Sequence, residues 1–263
     1  MKQRLLLFIT ALMLCIGAKA TTIQVIDGLK YIIYTDQNYA VLTGNNYTQN
    51  KIVIPASITW AGKKYPVTEL GTKSFYSCSS LTSITIPSSV TSLGEDCFYG
   101  CNSLTSITIP SSVTSLGNSC FYDCTRLFSI TIPSSVTSLG KSCFSGCKSL
   151  TSVTIPSSVT SLGEYCFNNC KSLTSVTIPS SVTSLGENCF YDCRSLTSVT
   201  IPSSVTSIGG SCFSSCSSLT SITIPSSVTS LGWGCFIVCI SRLLNYHEQQ
   251  KLTKYKLLKH RHI

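Results

Sequence analysis

The chain has 263 residues, of which 43% are hydrophobic and 11% are charged. This balance excludes a disordered protein, which combines high charge with low hydrophobicity. The formal net charge is +9, but the excess of lysine and arginine lies near the two ends, and residues 21-241 carry ten cations and nine anions. The charge therefore gives no argument for a nucleic-acid partner.

Residues 1-20 have the order of features typical of a cleavable signal peptide. Lys2 and Arg4 precede an apolar stretch that ends before Ala18-Lys19-Ala20, where small residues suit a signal peptidase. We therefore expect the mature chain to begin at Thr21 and to be exported, either secreted or at the cell surface. No second apolar run of transmembrane length follows, so we expect no integral membrane segment in the mature chain. A cytosolic protein with an apolar N-terminus is the alternative.

Residues 21-50 are irregular and contain three short apolar segments, at 23-26, 31-34 and 39-42. The turn residues between them, such as Asp27-Gly28, indicate that these segments are strands. We expect them to form an N-terminal β cap, because the apolar stacking face of a first repeat would otherwise be wet.

Residues 81-241 contain seven units of 23 residues. The units open at Leu81, Leu104, Leu127, Leu150, Leu173, Leu196 and Leu219. A fixed period in the twenties is typical of a solenoid, in which each unit buries its apolar face by stacking on its neighbours.

The first unit shows how one coil is expected to fold. Ile84 and Ile86 alternate with polar residues, which predicts a short strand with both side chains facing inward, and Pro87 ends it because proline cannot donate to the ladder. Gly94 is expected at a bend that requires positive φ. The spacing within 97-101 predicts a single helical turn with its apolar side against the core.

The recurring pattern Leu-x-x-Ile-x-Ile-Pro-x-x-Val-x-x-Leu-Gly-x-x-Cys-Phe-x-x-Cys resembles the BspA-like family of bacterial surface leucine-rich-repeat proteins. Residues 54-71 look like the family's first coil with a hairpin insertion, so residues 51-80 are interpreted as a degenerate first repeat. The resemblance implies a repeat solenoid with one short parallel strand per coil. It also implies an exported, non-enzymatic protein for protein binding or adhesion to host or matrix proteins, or to other cells.

The family usually has alanine before the phenylalanine, where every unit here has cysteine. Apart from Cys15 in the leader, the chain has seven Cys-x3-Cys pairs, from Cys97/Cys101 to Cys235/Cys239, and Cys78. This odd count argues against complete disulfide pairing. We interpret these residues as small buried hydrophobes beside a column of phenylalanines. Disulfides in part of the array and a metal site are the alternatives.

Two surfaces are candidates for partner binding. The first is the outward side of the strands, a uniform hydroxyl face with the column Thr85, Thr108, Thr131, Thr154, Thr177, Thr200 and Thr223. Phe128 departs from this uniformity. It is either an anchor for a partner or a substitution that arose by drift. Strand threonine is also favoured by β-propensity, so an ice-binding or purely structural role of this face is an alternative function.

The second candidate surface is the variable edge, defined as the two positions after the repeat glycine and the position after the repeat phenylalanine. It carries Tyr99, Tyr122, Tyr165 and Tyr191 together with residues of mixed charge, a composition found at protein interfaces. The alternative is that these positions are the solvent side of a turn and vary freely.

The repeats contain no motif for catalysis. All three histidines lie in residues 242-263, and the carboxylates are sparse and confined to variable positions within the repeats. We therefore expect no enzyme, no cofactor and no metal site. The basic tail, 242-263, has leucine and tyrosine at helical spacing and is interpreted as a helical cap, with a truncated array followed by unrelated sequence as the alternative.

Overall fold

A computed structural model describes residues 21–44, 47–237 and 239. The predicted signal peptide and the predicted helical tail therefore lie outside the described residues. Six strands precede the regular repeats: β1 (Thr21–Ile26), β2 (Leu29–Tyr34), β3 (Tyr39–Thr43), β4 (Lys51–Val53), β5 (Ser57–Trp60) and β6 (Lys63–Leu70). Each of the three apolar segments expected in the cap falls within a strand, and β5 and β6 form an antiparallel hairpin.

The regular part is a β-solenoid, and the predicted strand is present in every coil. These three-residue strands are β7 (Ser83–Thr85), β9 (Ser106–Thr108), β11 (Ser129–Thr131), β13 (Ser152–Thr154), β15 (Ser175–Thr177), β17 (Ser198–Thr200) and β19 (Ser221–Thr223). Each coil also has a second, two-residue strand that the sequence did not predict. These are β8 (Ser92–Leu93), β10 (Ser115–Leu116), β12 (Ser138–Leu139), β14 (Ser161–Leu162), β16 (Ser184–Leu185), β18 (Ser207–Ile208) and β20 (Ser230–Leu231).

The second set of strands joins the cap to the repeats in one sheet of order β1-β2-β3-β6-β8-β10-β12-β14-β16-β18-β20. Its first three strands are antiparallel, and from β3 onward each neighbour is parallel. In the repeats each residue pairs with the same position one coil later, as Leu93 does with Leu116. Strands β1 to β3 thus extend the backbone ladder of the repeats.

The core is a set of columns that run along the solenoid. The repeat phenylalanines are buried and nearly parallel, with successive ring centroids 5.2 to 5.7 Å apart and interplanar angles of 2 to 7°. Columns of leucine, isoleucine, valine and cysteine surround them. Because each ring is covered by the rings before and after it, no coil completes its core alone.

The expectation of a helical turn at 97-101 is wrong. The segment is a series of hydrogen-bonded turns with positive φ at Asp96 (52°) and Gly100 (68°). The Phe98 N–H donates to the Cys120 carbonyl of the next coil at 2.8 Å, and the Gly100 N–H does the same to Tyr122. A helix would direct all of these amides into their own coil, whereas here only the alternate ones, such as the Cys101 N–H that donates to the Phe98 carbonyl, bond within it.

The reason expected for Gly94 is also wrong. The residue has no positive φ; instead, a Cβ placed on it would lie 2.7 Å from the backbone carbon of Gly71 in the preceding coil. The same approach recurs along the column, as at Gly186, whose Cβ would lie 2.5 Å from the Gly163 backbone. Only a residue without Cβ allows backbones to stack this closely.

One junction between coils differs from the others, and we call it the seam: the contact between coils 127-149 and 150-172. Strands β12 and β14 pair at one position, Leu139 with Leu162, where the other two-residue strands pair at two. A Cβ on Gly163 would come no closer than 3.5 Å to any neighbour. The three-residue strands are divided here too, since β11 and β13 belong to different sheets, but this feature is shared with the junction between β7 and β9. The phenylalanine column crosses the seam unchanged, with Phe144 and Phe167 5.3 Å apart.

Candidate functional site

The predicted threonine column lies on the outer side of the three-residue strands. All seven members are exposed: Thr85, Thr108, Thr131, Thr154, Thr177, Thr200 and Thr223. They do not form one continuous sheet face, because these strands group as β4-β7, β9-β11 and β13-β15-β17-β19. Within each group neighbouring threonines are in register, as Thr177 is with Thr200. The face is therefore a series of short hydroxyl ladders.

Phe128 stands just before strand β11 and is 58% exposed. Threonines at the equivalent position of four other coils donate a side-chain hydrogen bond to the preceding coil, as Thr174 Oγ1 does to the Thr151 carbonyl at 3.1 Å. A phenylalanine cannot donate this bond, although its backbone N–H still reaches the Thr105 carbonyl at 2.9 Å. The substitution removes one connection between coils and places an aromatic ring in solvent next to the seam.

The variable edge begins with three stacked tyrosines, Tyr76, Tyr99 and Tyr122, which we call the Tyr ladder. Their ring centroids are 4.8 and 4.7 Å apart, with interplanar angles of 13 and 4°. Tyr76 was missed in the sequence, although it follows Phe75 as Tyr99 follows Phe98. Stacking restricts the motion of the rings before any partner binds. This favours binding because little side-chain entropy is then lost.

Charged groups flank the first step of the ladder. Lys73 Nζ lies 5.5 Å from the Tyr76 ring centroid and 3.8 Å from an Asp96 carboxylate oxygen. Partial burial raises the pKa of Asp96, and the Lys73 charge opposes that rise. Partial burial also raises the pKa of Tyr99, with smaller contributions from Tyr122 and Tyr76. Tyr99 therefore presents a neutral hydroxyl as a hydrogen-bonding group.

Tyr165 and Tyr191 are separate from the Tyr ladder. Tyr165 has a positive φ of 58° and lies under Lys141, whose Nζ is 5.6 Å from its ring centroid and 2.6 Å from a Glu164 carboxylate oxygen. Tyr191 occupies the ladder position but is 38% exposed, because Ser145 and Asn168 replace tyrosine in the intervening coils. The edge is thus a set of distinct aromatic positions rather than one stripe.

Two further aromatic or apolar residues on the edge were not singled out from the sequence. Trp233 is 71% exposed and Ile237 is 44% exposed, both in the last described coil. Their departure from the small or polar residues of other coils was the available signal. Large apolar side chains exposed at variable positions are the composition expected of a contact surface.

The cysteines lie away from both surfaces. All fifteen in the described residues are buried. Burial raises the pKa of the thiols from Cys101 to Cys212, for Cys193 to about 12. In one column each thiol donates to the phenylalanine carbonyl of the preceding coil, as Cys147 Sγ does to Phe121 at 3.2 Å. Protonated, buried thiols are neither nucleophiles nor metal ligands, and the described residues hold no group of three or more histidine, cysteine or acidic side chains placed to bind a metal ion.

The sequence matches a family model described as BspA type leucine rich repeat region, over residues 48–170 and 137–258. The chain belongs to the BspA-type leucine-rich-repeat family. No curated protein shows significant similarity to it. Proteins of this repeat family are generally non-enzymatic, and leucine-rich repeats generally mediate protein–protein interaction.

Two solved structures are similar to the BspA-type chain along most of its length. A leucine-rich cell surface protein from Faecalibacterium prausnitzii is 28% identical, with a TM-score of 0.62, over 86% of this chain and 77% of that one. The T. pallidum leucine-rich-repeat protein is also 28% identical, with a TM-score of 0.59, over 86% of this chain and 92% of that one. In the part of the chain that the structure describes, no helix is long and apolar enough to cross a membrane.

Proposed function

We propose that this BspA-type protein is an exported, non-enzymatic binding protein that adheres to other proteins through its variable edge. The observation that carries the proposal is the variety of large side chains on one side of a uniform scaffold, from the partly exposed Tyr ladder to the exposed Tyr191 and Trp233. Tyrosine and tryptophan supply much of the binding energy at protein interfaces. The partners we propose are host extracellular-matrix or plasma proteins, or proteins of other cells.

Chemical variety favours the edge over the threonine face. The seven threonines of the strand face repeat one chemical group, so they provide little information that could distinguish partners. The edge instead offers aromatic rings, the Lys73–Asp96 pair and the Lys141–Glu164 pair at fixed places along the solenoid. Such a pattern can select a partner by position as well as by composition.

The binding experiment compares two variants on immobilised matrix and plasma proteins. The edge variant carries Tyr99→Ser, Tyr122→Ser, Tyr191→Ser and Trp233→Ser, and the control carries Thr108→Ser, Thr177→Ser and Thr200→Ser on the strand face. We expect saturable binding by the native chain and the control, and a loss of about tenfold or more in affinity for the edge variant. Loss in the control alone would place the site on the strand face instead.

Absence of binding by any form, with the fold intact by circular dichroism, would count against adhesion altogether. The strand face would then be tested for the alternative role as an ice-binding or purely structural surface. Thermal hysteresis in a freezing assay would support the ice-binding alternative, whereas its absence would leave only the structural one.

Export and the division of the chain belong to the same proposal. We propose that residues 1-20 are removed, that 21-50 cap a degenerate first repeat at 51-80, and that 242-263 cover the last of the seven repeats at 81-241. N-terminal sequencing of protein recovered outside the producing cell is expected to begin at Thr21. A chain that retains residue 1 and stays inside would contradict the export proposal.

A further inference from the structure

We propose that two copies of this chain associate through strand β1, which pairs antiparallel with β1 of a second copy and joins the two long sheets into one. The proposal concerns self-association and is independent of the binding site on the variable edge. It assumes the processed N-terminus at Thr21 proposed above.

Strand β1 is the terminal strand of the long sheet, and among the described residues it pairs only with β2. Its other edge therefore presents free backbone donors and acceptors. Natural edge strands are usually short, charged, bulged or interrupted by proline, because an open edge recruits other strands. The opposite end of the same sheet follows that rule, since β20 has two residues, Ser230–Leu231. Strand β1 has six residues, Thr-Thr-Ile-Gln-Val-Ile, with no charge and no proline.

The outward face of β1 is also apolar. Ile23 is 58% exposed and Val25 is 68% exposed, whereas the alternate residues are partly covered. The face continues across the sheet, because Ile23 pairs with Ile32, and on the same side Tyr34 stacks on Tyr39 with ring centroids 4.6 Å apart. An apolar face that adjoins an open edge offers a second strand both backbone hydrogen bonds and side-chain burial.

A second copy fits this edge better than an unrelated strand because β1 is self-complementary. A twofold axis at Gln24 places Ile23 of each copy opposite Val25 of the other on the same face. The same register sets Thr21 opposite Asp27, so the α-ammonium group of a chain beginning at Thr21 faces a carboxylate of the second copy. The paired strands bring no like charges together. A contact of this size is small, so we expect a dissociation constant on the order of micromolar or weaker.

The test is sedimentation equilibrium over a wide concentration range. It compares the native chain from Thr21 to Ile263 with its Val25→Glu and Val53→Glu variants. In the monomer Val25 pairs with Lys30, so glutamate is tolerated there, while in the dimer it faces Ile23 of the second copy. Val53 is equally apolar and 71% exposed but lies on β4, in another sheet, which makes it the matched control.

We expect a monomer–dimer equilibrium in the native chain and in Val53→Glu, weakened at least about tenfold in Val25→Glu. Hydrogen exchange then shows concentration-dependent protection of the β1 amides. A native chain that remains monomeric at every concentration overturns the proposal. So does a dimer that Val25→Glu leaves unchanged or that forms without protecting β1.

Discussion

The seam and the regular junctions of this solenoid are built from the same repeat, yet they hold their coils together differently. At a regular junction the glycine backbones stack and the two-residue strands pair at two positions. At the seam Gly163 is free of close backbone contact and only Leu139 pairs with Leu162. The coils stay together because the turns that contain the repeat phenylalanines remain hydrogen-bonded from one coil to the next. An example is the 2.8 Å bond from the Phe144 N–H to the Cys166 carbonyl.

The difference indicates that the phenylalanine column and the hydrogen-bonded turns maintain the stacking of coils where strand pairing is reduced. Ring stacking between Phe144 and Phe167 is as close as elsewhere in the column. The free energy of apolar burial changes little when side chains shift slightly along a column, whereas strand hydrogen bonds require a defined register. A single exposed aromatic, Phe128, accompanies the loss of strand pairing beside it.

The largest expected effect acts on both kinds of junction, because both enclose thiols. Burial raises the pKa of most interior cysteines above the ordinary value of 9.0, for Cys193 to about 12. Unfolding releases these protons once the pH exceeds the unfolded pKa, so stability is full below about pH 9 and falls as the pH rises toward 12. We expect the urea midpoint to fall steeply over this range. A midpoint that is flat from pH 8 to about pH 11 would contradict buried protonated thiols.

Free thiols counted in the denatured, unreduced protein provide the control for the alkaline experiment. Buried thiols predict fifteen per processed chain, the number of buried cysteines in the part of the chain that the structure describes. A count of about ten or fewer would point to disulfides in part of the array.

A smaller effect separates the two kinds of junction directly. Gly186→Ala places a Cβ 2.5 Å from the Gly163 backbone and is expected to cost about 1 to 3 kcal/mol, because the stacked backbones must move apart. Gly163→Ala meets its nearest neighbour at 3.5 Å and is expected to change stability by less than about 0.5 kcal/mol. Chemical denaturation of the two variants measures the difference. Equal costs would mean that the seam is packed like its neighbours.

The smallest effect concerns the side chain that bridges the seam at the variable edge. Lys141 reaches across it to the Glu164 carboxylate at 2.6 Å and to the Tyr165 ring. Lys141→Met keeps the aliphatic stem and removes the charge, so we expect a slight fall in melting temperature at low salt. The difference should vanish at about 1 M salt, where the Debye length is near 3 Å. A difference that persists at high salt would show that packing, rather than charge, is responsible.

The sequence by itself determined the architecture, because the period of 23 residues fixes which side chains recur in register. It predicted the inward Ile84 and Ile86, the strand between Leu81 and Pro87, and the buried phenylalanine column, all of which the structure confirms. These features depend on apolar periodicity, which is local information. It also identified most aromatic residues of the variable edge, although their role in binding remains a proposal.

Only the tertiary structure decided how neighbouring coils meet. The spacing of 97-101 suits a helical turn, but hydrogen bonds to the next coil favour non-helical turns with positive φ. The role of Gly94 depends on its contact with the backbone of Gly71, 23 residues earlier in the chain. Patterns in the local sequence do not reveal such a contact. The seam and the stacking of Tyr76 on Tyr99 likewise arise between coils. A repeat determines the shape of one coil, whereas the contacts between coils are set by distances and registers that exist only after stacking.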